Sequence, residues 1–590
     1  MGDAPELSDE ERTPDDAPAP GKRRVGIALA VLVGYLLLAL YVTGGMLLHP
    51  SHELAINDSD SGLLSWFLQH DAHAVAHGGR GLLITDDINA PAGINLMWNT
   101  ALLLPGVLLA PLTWLTDGRT TYAFLLWVAP ALSAFSLYLC LGARLRSRAL
   151  IEGQLPRVLA GLLFGFSPAL VAQSLGHLQM TLLPLVPVIL LLIVEAAVGD
   201  RRARAVGAAA GLAGAAQLLT GEEALFFTAF VGVLVLLGLA ISRPREITRE
   251  RLTRFATITG IALACFAAVT AIPLLTQLFG AQHVHGTPFT RDYFKLDTTA
   301  FTTPTNLQLL SSAKAEQLAA GYRGGPEEHT GYLGWPLLLL ALVLLVMRWR
   351  DLRVRIPVLI SALLSVLALG LHPMVHLVQH DNVTLPWGLL IDLPLFESTI
   401  ISRLPLMSAL LLAVVLAVAV EWTRVTSRAL AALLGVVVLL PLAPSHIQTQ
   451  PRPAAPQFFR SGAKQIPAGS TAIIAPPAGY GHVDAMRWQA AADFRFKLAG
   501  GYFIGPSYDG RAVIGPLPRQ LLVLLDQVRE KGGVELTPEV RAAATEDLEF
   551  YDASCIVVGP MPHEDEAVAL VTSLLGRGPE EIGGVNFWRL

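Results

Sequence analysis

Two carboxylates one residue apart, Asp58 and Asp60, follow the first long apolar run of this chain. Charge is costly near a bilayer, so such a pair needs a reason. It can hold a cation, serve as a general base, or cap a helix. Further polar groups border other apolar runs. His177 and Gln179 lie in the stretch Gln173–Gln179, and either suits a sugar hydroxyl or a phosphate oxygen. Gly221-Glu222-Glu223 is a turn between two apolar runs, too short to carry its acids far into water. Glu328 and His329 stand just before the run that begins at Tyr332. Arg403 opens another run, where a guanidinium matches a phosphate group or an acid partner. Each has a plainer reading as an interfacial or solvated residue, and Arg403 as a snorkelling one. His70, His73 and His77 form one strip at i, i+3 and i+7. A metal site is one reading; the polar border of an interfacial helix is the one adopted.

The elements that must position these groups are membrane helices. The chain has 590 residues, 53% hydrophobic and 15% charged, against roughly 25% charged in soluble domains. Runs of about 20 apolar residues span a bilayer as helices. Twelve segments qualify as candidates: 25–48, 99–116, 120–143, 158–175, 179–198, 205–220, 224–241, 255–279, 332–347, 356–378, 404–422 and 428–444. Residues 1–24 read as a disordered acidic tail ending in Lys22-Arg23-Arg24, which places the N-terminus in the cytoplasm. No cleavage site follows the first run, so it is expected to stay as a span.

The basic loops choose the topology. If 99–116 stays on the outer side as a broken helix, the loops 144–157, 199–204, 243–254, 348–355 and 424–428 all lie inside. They carry 4, 3, 5, 4 and 2 basic residues. The positive-inside rule therefore favours eleven spans. Pro105 and Pro111 also suit a broken helix. The outer face then receives the loops 49–119 and 280–331, the turn 220–223 and everything after 445. On it, 60–77 reads as an interfacial helix with Leu63, Leu64, Phe67, Leu68 and Val75 on one face.

Residues 446–457 read as a linker. Beyond it the pattern changes to a small extracytoplasmic α/β domain over 458–590. Its expected strands are Ser470–Ala475, Ser554–Val558 and Gly583–Leu590, and its expected helices Leu521–Lys531 and Glu566–Leu575. The fold class is mainly α: a polytopic bundle over 25–445 with this α/β domain appended. Cys140, Cys265 and Cys555 imply neither a metal site nor a disulfide framework. No nucleotide-binding motif and no nucleic-acid-binding pattern is present.

This arrangement resembles the GT-C class of membrane glycosyltransferases: a first span, an outer Asp-x-Asp element at Asp58-Ser59-Asp60, interfacial helices, many further spans and an outer C-terminal domain. Asn89-Ala90-Pro91-Ala92-Gly93-Ile94-Asn95 and Glu328-His329-Thr330-Gly331-Tyr332-Leu333-Gly334 are similar to stretches of bacterial membrane proteins placed near that class. Where many of the class carry an acid in the outer turn between the third and fourth spans, this chain has His177 and Gln179.

The resemblance implies a polyprenyl-phosphate sugar as donor and an envelope glycan, lipid or protein as acceptor, with inversion at the anomeric carbon. It implies a carboxylate base, assigned to Asp58 with Asp60 orienting the acceptor, or the reverse. His177 and Arg403 are candidates for the phosphate, with Gln179, Glu222, Glu223, Glu328 and His329 as further substrate contacts. A divalent cation is an open option; no nucleotide is expected. A transporter or flippase of envelope precursors and a glycan-binding scaffold are the competing readings.

Overall fold

The computed structural model describes residues 20–145 and 148–590. The acidic tail up to residue 19 and Arg146 of the first basic loop lie outside the described residues. The chain is mainly helical, and helices occupy all twelve apolar segments, one of them, 99–116, as two short pieces. Among the described residues six are long and apolar enough to cross a membrane by length and composition: Arg24–Thr43, Gly118–Gly142, Gln154–Gln173, Glu222–Ser242, Arg249–Phe279 and Ile401–Thr426. Leu185–Val198, Trp335–Met347 and Arg428–Leu442 are shorter apolar helices.

Burial sorts these helices by position. The apolar window of Ile401–Thr426 is 89% buried, so this helix runs through the middle of the bundle. That of Arg249–Phe279 is 11% buried, so this helix lies on the outside of the bundle with most of its apolar surface exposed. The segment 99–116 breaks into Leu103–Leu108 and Ala110–Leu115. At 1.5 Å per residue each is roughly 9 Å long, far short of the roughly 30 Å of hydrocarbon. Both pack against the helix Asp58–Ala76, where Trp114 donates to the Ala72 carbonyl at 2.9 Å.

One expected run overshoots. The helix Leu352–Leu367 ends well before 378. Gly370, at φ +77°, and Pro373 follow it and turn the chain into a loop that returns at Ile401. This loop was not anticipated, and it supplies the backbone N–H of Ile400 to the site described below.

The C-terminal part forms a five-stranded sheet. Its order is Lys497–Leu498, Thr471–Ala475, Ala553–Val558, Val585–Arg589, Glu580–Ile582. The first three strands run parallel and the last two pair antiparallel. Helices Gln520–Lys531, Pro538–Phe550 and Glu564–Leu575 bury Leu521, Leu525, Val528, Ala544 and Val571 together with Ile473, Ile556 and Trp588. The expected linker is not free chain: Thr449–Pro451 pairs antiparallel with His52–Leu54. The unit also clamps the front of the bundle. Trp66 donates to Gln489 Oε1 at 3.0 Å, and Gln489 donates on to the Asp87 carbonyl at 2.6 Å. Asn99 and Ile504 exchange two hydrogen bonds, of 3.0 and 2.6 Å.

Candidate active site

The helix Asp58–Ala76 begins at Asn57, which takes the left-handed backbone conformation and caps it by accepting from the Asp60 N–H. Asp58 and Asp60 are therefore first-turn residues and not the cap. About 100° of helix rotation separates each residue from the next, so the two acids diverge. Asp60 faces a cavity of about 470 Å³, and Asp58 faces a different one.

Three donors hold Asp60. Asn57 Nδ2 donates to Oδ2 at 2.8 Å, the Tyr502 hydroxyl donates to Oδ1 at 2.8 Å, and His177 Nε2 lies 3.3 Å from Oδ2. Burial alone would push this carboxyl up, but His177 outweighs it, with Asn57 and Tyr502 adding, and holds it below the usual carboxylate range. A carboxylate has about four acceptor positions, so one remains for a substrate hydroxyl. Gly176 makes room for the capping Asn57. It sits at φ +111°, and a Cβ there would lie 2.6 Å from Asn57 Nδ2.

Behind His177 stands a buried ion cluster. Arg403 Nε donates to Glu328 Oε1 and Oε2 at 2.9 and 3.2 Å, and Nη2 donates to Oε1 at 2.5 Å. Arg403 Nη1 donates to Glu223. Ser402 Oγ gives Glu328 Oε2 a further bond of 2.8 Å, and the Ile400 N–H gives one of 3.2 Å to Glu223. Burial would raise Glu328, but Arg403 and His177 hold it below its ordinary value. His177 Nδ1 is 3.4 Å from Arg403 Nη2 and 3.5 Å from Glu328 Oε1. The Nδ1 side of the ring thus faces the ion cluster and the Nε2 side faces Asp60. The result is a continuous line: Asp60, His177, Arg403 with Glu328, then Glu223.

The structure thus brings Asp60, His177, Gln179, Glu328 and Arg403 to one cavity, with Glu223 behind Arg403. It does not bring Asp58, Glu222 or His329. Asp58 belongs to the opposite face of its helix. Glu222 turns to Gln277, which donates to it at 2.8 Å, and lines a separate small void. His329 is buried edge-on against Tyr322, with ring centroids 5.6 Å apart, and burial pulls its pKa down. The outer acids therefore do not share one vestibule. Arg403 is also taken up by two carboxylates, which leaves it little capacity for a phosphate.

Further residues line the cavity. Glu327 faces the cavity, and burial raises its carboxyl; its signal was the acidic pair itself. Tyr502 and Tyr480 come from the C-terminal unit, 442 residues after Asp60 in the case of Tyr502. Tyr480, 74% exposed, stands between Gly479 and Gly481 with its ring 6.3 Å from that of Tyr502. The glycine-flanked aromatic was legible; its destination was not.

The histidine strip separates into structural contacts. His70 stacks on Trp66 and lies 3.2 Å from Asp87, and His73 lies 3.4 Å from Asp493. Among the described residues no three His, Cys, Asp or Glu side chains gather as a metal ligand set.

No sequence-family model matches the chain, and no curated protein matches it by sequence. Solved structures do. The arabinofuranosyltransferase AftD from Mycobacteria superposes with a TM-score of 0.52 at 16% identity, over 96% of this chain and 40% of that one. This chain therefore spans about two-fifths of the length of that protein. ArnT from Cupriavidus metallidurans aligns over 94% of this chain and 95% of its own, at 13% identity and a TM-score of 0.44. The oligosaccharyltransferase AglB from Archaeoglobus fulgidus, in complex with an inhibitory peptide and a dolichol-phosphate, gives 12% identity, 96% and 74% coverage and a TM-score of 0.44. The AftD likeness shows a shared GT-C fold.

Proposed function

We propose that this protein is a membrane glycosyltransferase that moves a pentosyl or hexosyl group from a polyprenyl-phosphate donor to an extracytoplasmic acceptor. The observation that carries the reading is the held Asp60 carboxylate with one open acceptor position, facing a cavity of about 470 Å³. The volume is within the range of small-molecule sites, roughly 300–1,000 Å³. The aromatic rings of Tyr293, Phe289 and Tyr480 line this cavity and suit the apolar faces of a sugar.

In this reading Asp60 takes the proton of an acceptor hydroxyl while that oxygen bonds to the anomeric carbon. The bond from that carbon to the phosphate oxygen breaks, and the lipid phosphate leaves with the electron pair. Attack opposite to the leaving group inverts the centre. His177 keeps Asp60 oriented, and the Arg403 cluster keeps His177 oriented. Purified protein incubated with a panel of polyprenyl-phosphate pentoses and hexoses should release free polyprenyl phosphate with at least one of them in the presence of envelope glycan. No release across the whole panel would end the proposal.

The membrane topology belongs to the same proposal: eleven spans, the N-terminus in the cytoplasm, and the Asp60 cavity and residues 458–590 outside. It rests on the basic-loop asymmetry and on the break in 99–116. Reporter fusions after Gly153 and Gln457 should read cytoplasmic and external respectively; an external signal at Gly153 would overturn it. A transport reading is less favoured, because in this topology the acids cluster at the outer face rather than near the bilayer midplane, where transport sites lie.

A further inference from the structure

A second cavity, of about 380 Å³, opens on the other side of the helix Asp58–Ala76. Asp58, Ser61, Ser65 and Gln69 recur at helical spacing along it. Facing them are Arg119 at the start of the helix Gly118–Gly142, Arg452 just after the strand Thr449–Pro451, and Arg487 on the helix Asp484–Ala491. No lining residue is shared with the Asp60 cavity.

The lining offers both kinds of hydrogen-bonding group, and several are idle. Arg487 is occupied, donating to Glu53 and to Asp484 at 2.5 Å each. Arg452 is not: among the described residues its guanidinium meets no acceptor, although burial and the nearby Arg487 and Arg119 pull its pKa down to about 10. The Asp58 carboxylate accepts from its own backbone N–H and is attracted by Arg487, and it keeps acceptor positions open towards the cavity. Gln69 accepts from the Gly118 N–H at 2.6 Å through its carbonyl oxygen and leaves its NH₂ group unused. The Ser61 and Ser65 hydroxyls donate to helix carbonyls at 3.0 and 2.6 Å, so their oxygens remain free to accept.

A ligand must answer all of these. An anion would meet Asp58, Glu53 and Asp117, and a cation would meet three guanidinium groups. A neutral polyol meets both kinds, since each hydroxyl donates and accepts at once. We infer that this cavity is a second carbohydrate site, which holds a neutral sugar residue of a glycan away from the Asp60 cavity. It goes beyond the transferase reading and does not need it, because binding requires neither donor nor turnover.

The test uses the full chain in lipid nanodiscs and titrates neutral oligosaccharides of arabinose, galactose, mannose and glucose by calorimetry. At least one should bind. Arg452→Met should weaken it by about 10- to 100-fold, the effect of losing hydrogen bonds to a charged group, and Ser65→Phe should do the same by filling the cavity. Asp60→Asn should bind as the parent does. Arg452 donates to no described acceptor, and Glu53 and Asp484, which attract it, keep Arg487 as their ion-pair partner, so Arg452→Met decides the matter if Ser65→Phe fails to fold. The inference is overturned if no oligosaccharide binds, if Arg452→Met binds undiminished, if Asp60→Asn abolishes binding, or if inorganic phosphate displaces the sugar. A failed transfer assay with intact binding here would sink only the proposed reaction.

Discussion

Asp60→Asn lowers turnover by about 100- to 10,000-fold, the range a positioned base contributes, while donor affinity stays near the parent value. The substitution keeps the shape of the side chain and removes proton acceptance. The helix start survives it, because Asn57 and not Asp60 is the cap. Asp58→Asn, on the other cavity, leaves the maximal rate in place. Steady-state rates for the two variants decide between the acids, and full turnover in Asp60→Asn would remove the base from this site. The pH profile carries a second signature. Asp60 must be ionised to act, and its folded pKa lies below the ordinary carboxylate range. The acid limb of kcat/KM therefore falls below that range, and activity persists as pH drops through it. Tyr502→Phe removes one donor to the ionised form, so Asp60 becomes easier to protonate and the acid limb moves up.

The second large effect concerns stability. Arg403 and Glu328 are both buried, with side chains 8% and 2% exposed, and Glu223 shares the same guanidinium. Removing one member of a buried pair strands the other, at about 3–5 kcal/mol. Arg403→Met therefore lowers the unfolding free energy by about that much, since it leaves two carboxylates facing each other without a cation. Arg403→Met combined with Glu328→Gln should recover part of the loss. Denaturant unfolding in detergent micelles, run as a double-mutant cycle, measures the coupling. Additive losses would mean that the two residues do not act as a pair.

Most of the helical scaffold was legible, because apolar runs and basic loops record it directly. The helix at Asp58–Ala76, the break at Pro105 and Pro111, and the strands Thr471–Ala475 and Ala553–Val558 were all expected to within a few residues. The site was half legible. A residue type at a membrane edge says that a charge needs a reason, and not which way its side chain turns. Asp58 and Asp60 look equivalent in sequence, yet a two-residue step on a helix sends them to different cavities. Glu222 and Glu223 part for the same reason, one to Gln277 and the other to Arg403. Tyr502 left no local signal, since its role depends on a docking contact with Asp60 from the far end of the chain. The run 356–378 was drawn too long because Leu371, Met374 and Val375 are apolar, although they belong to a loop and hairpin outside the helix.

That docking contact fixes an order of events during synthesis. Asp60 and Tyr502 are 442 residues apart, and the strand at His52–Leu54 waits for Thr449–Pro451. At about 5–20 residues per second, the ribosome needs roughly 20–90 s to make the intervening chain. For that interval the helix bearing Asp60 stands without its tyrosine and without its covering sheet. The nascent protein can therefore be inserted and folded helix by helix while the site is still open and its carboxylate only partly held. Completion of the C-terminal sheet is then the step that switches on the finished molecule, and a chain stopped before Tyr502 would occupy the membrane without an assembled site.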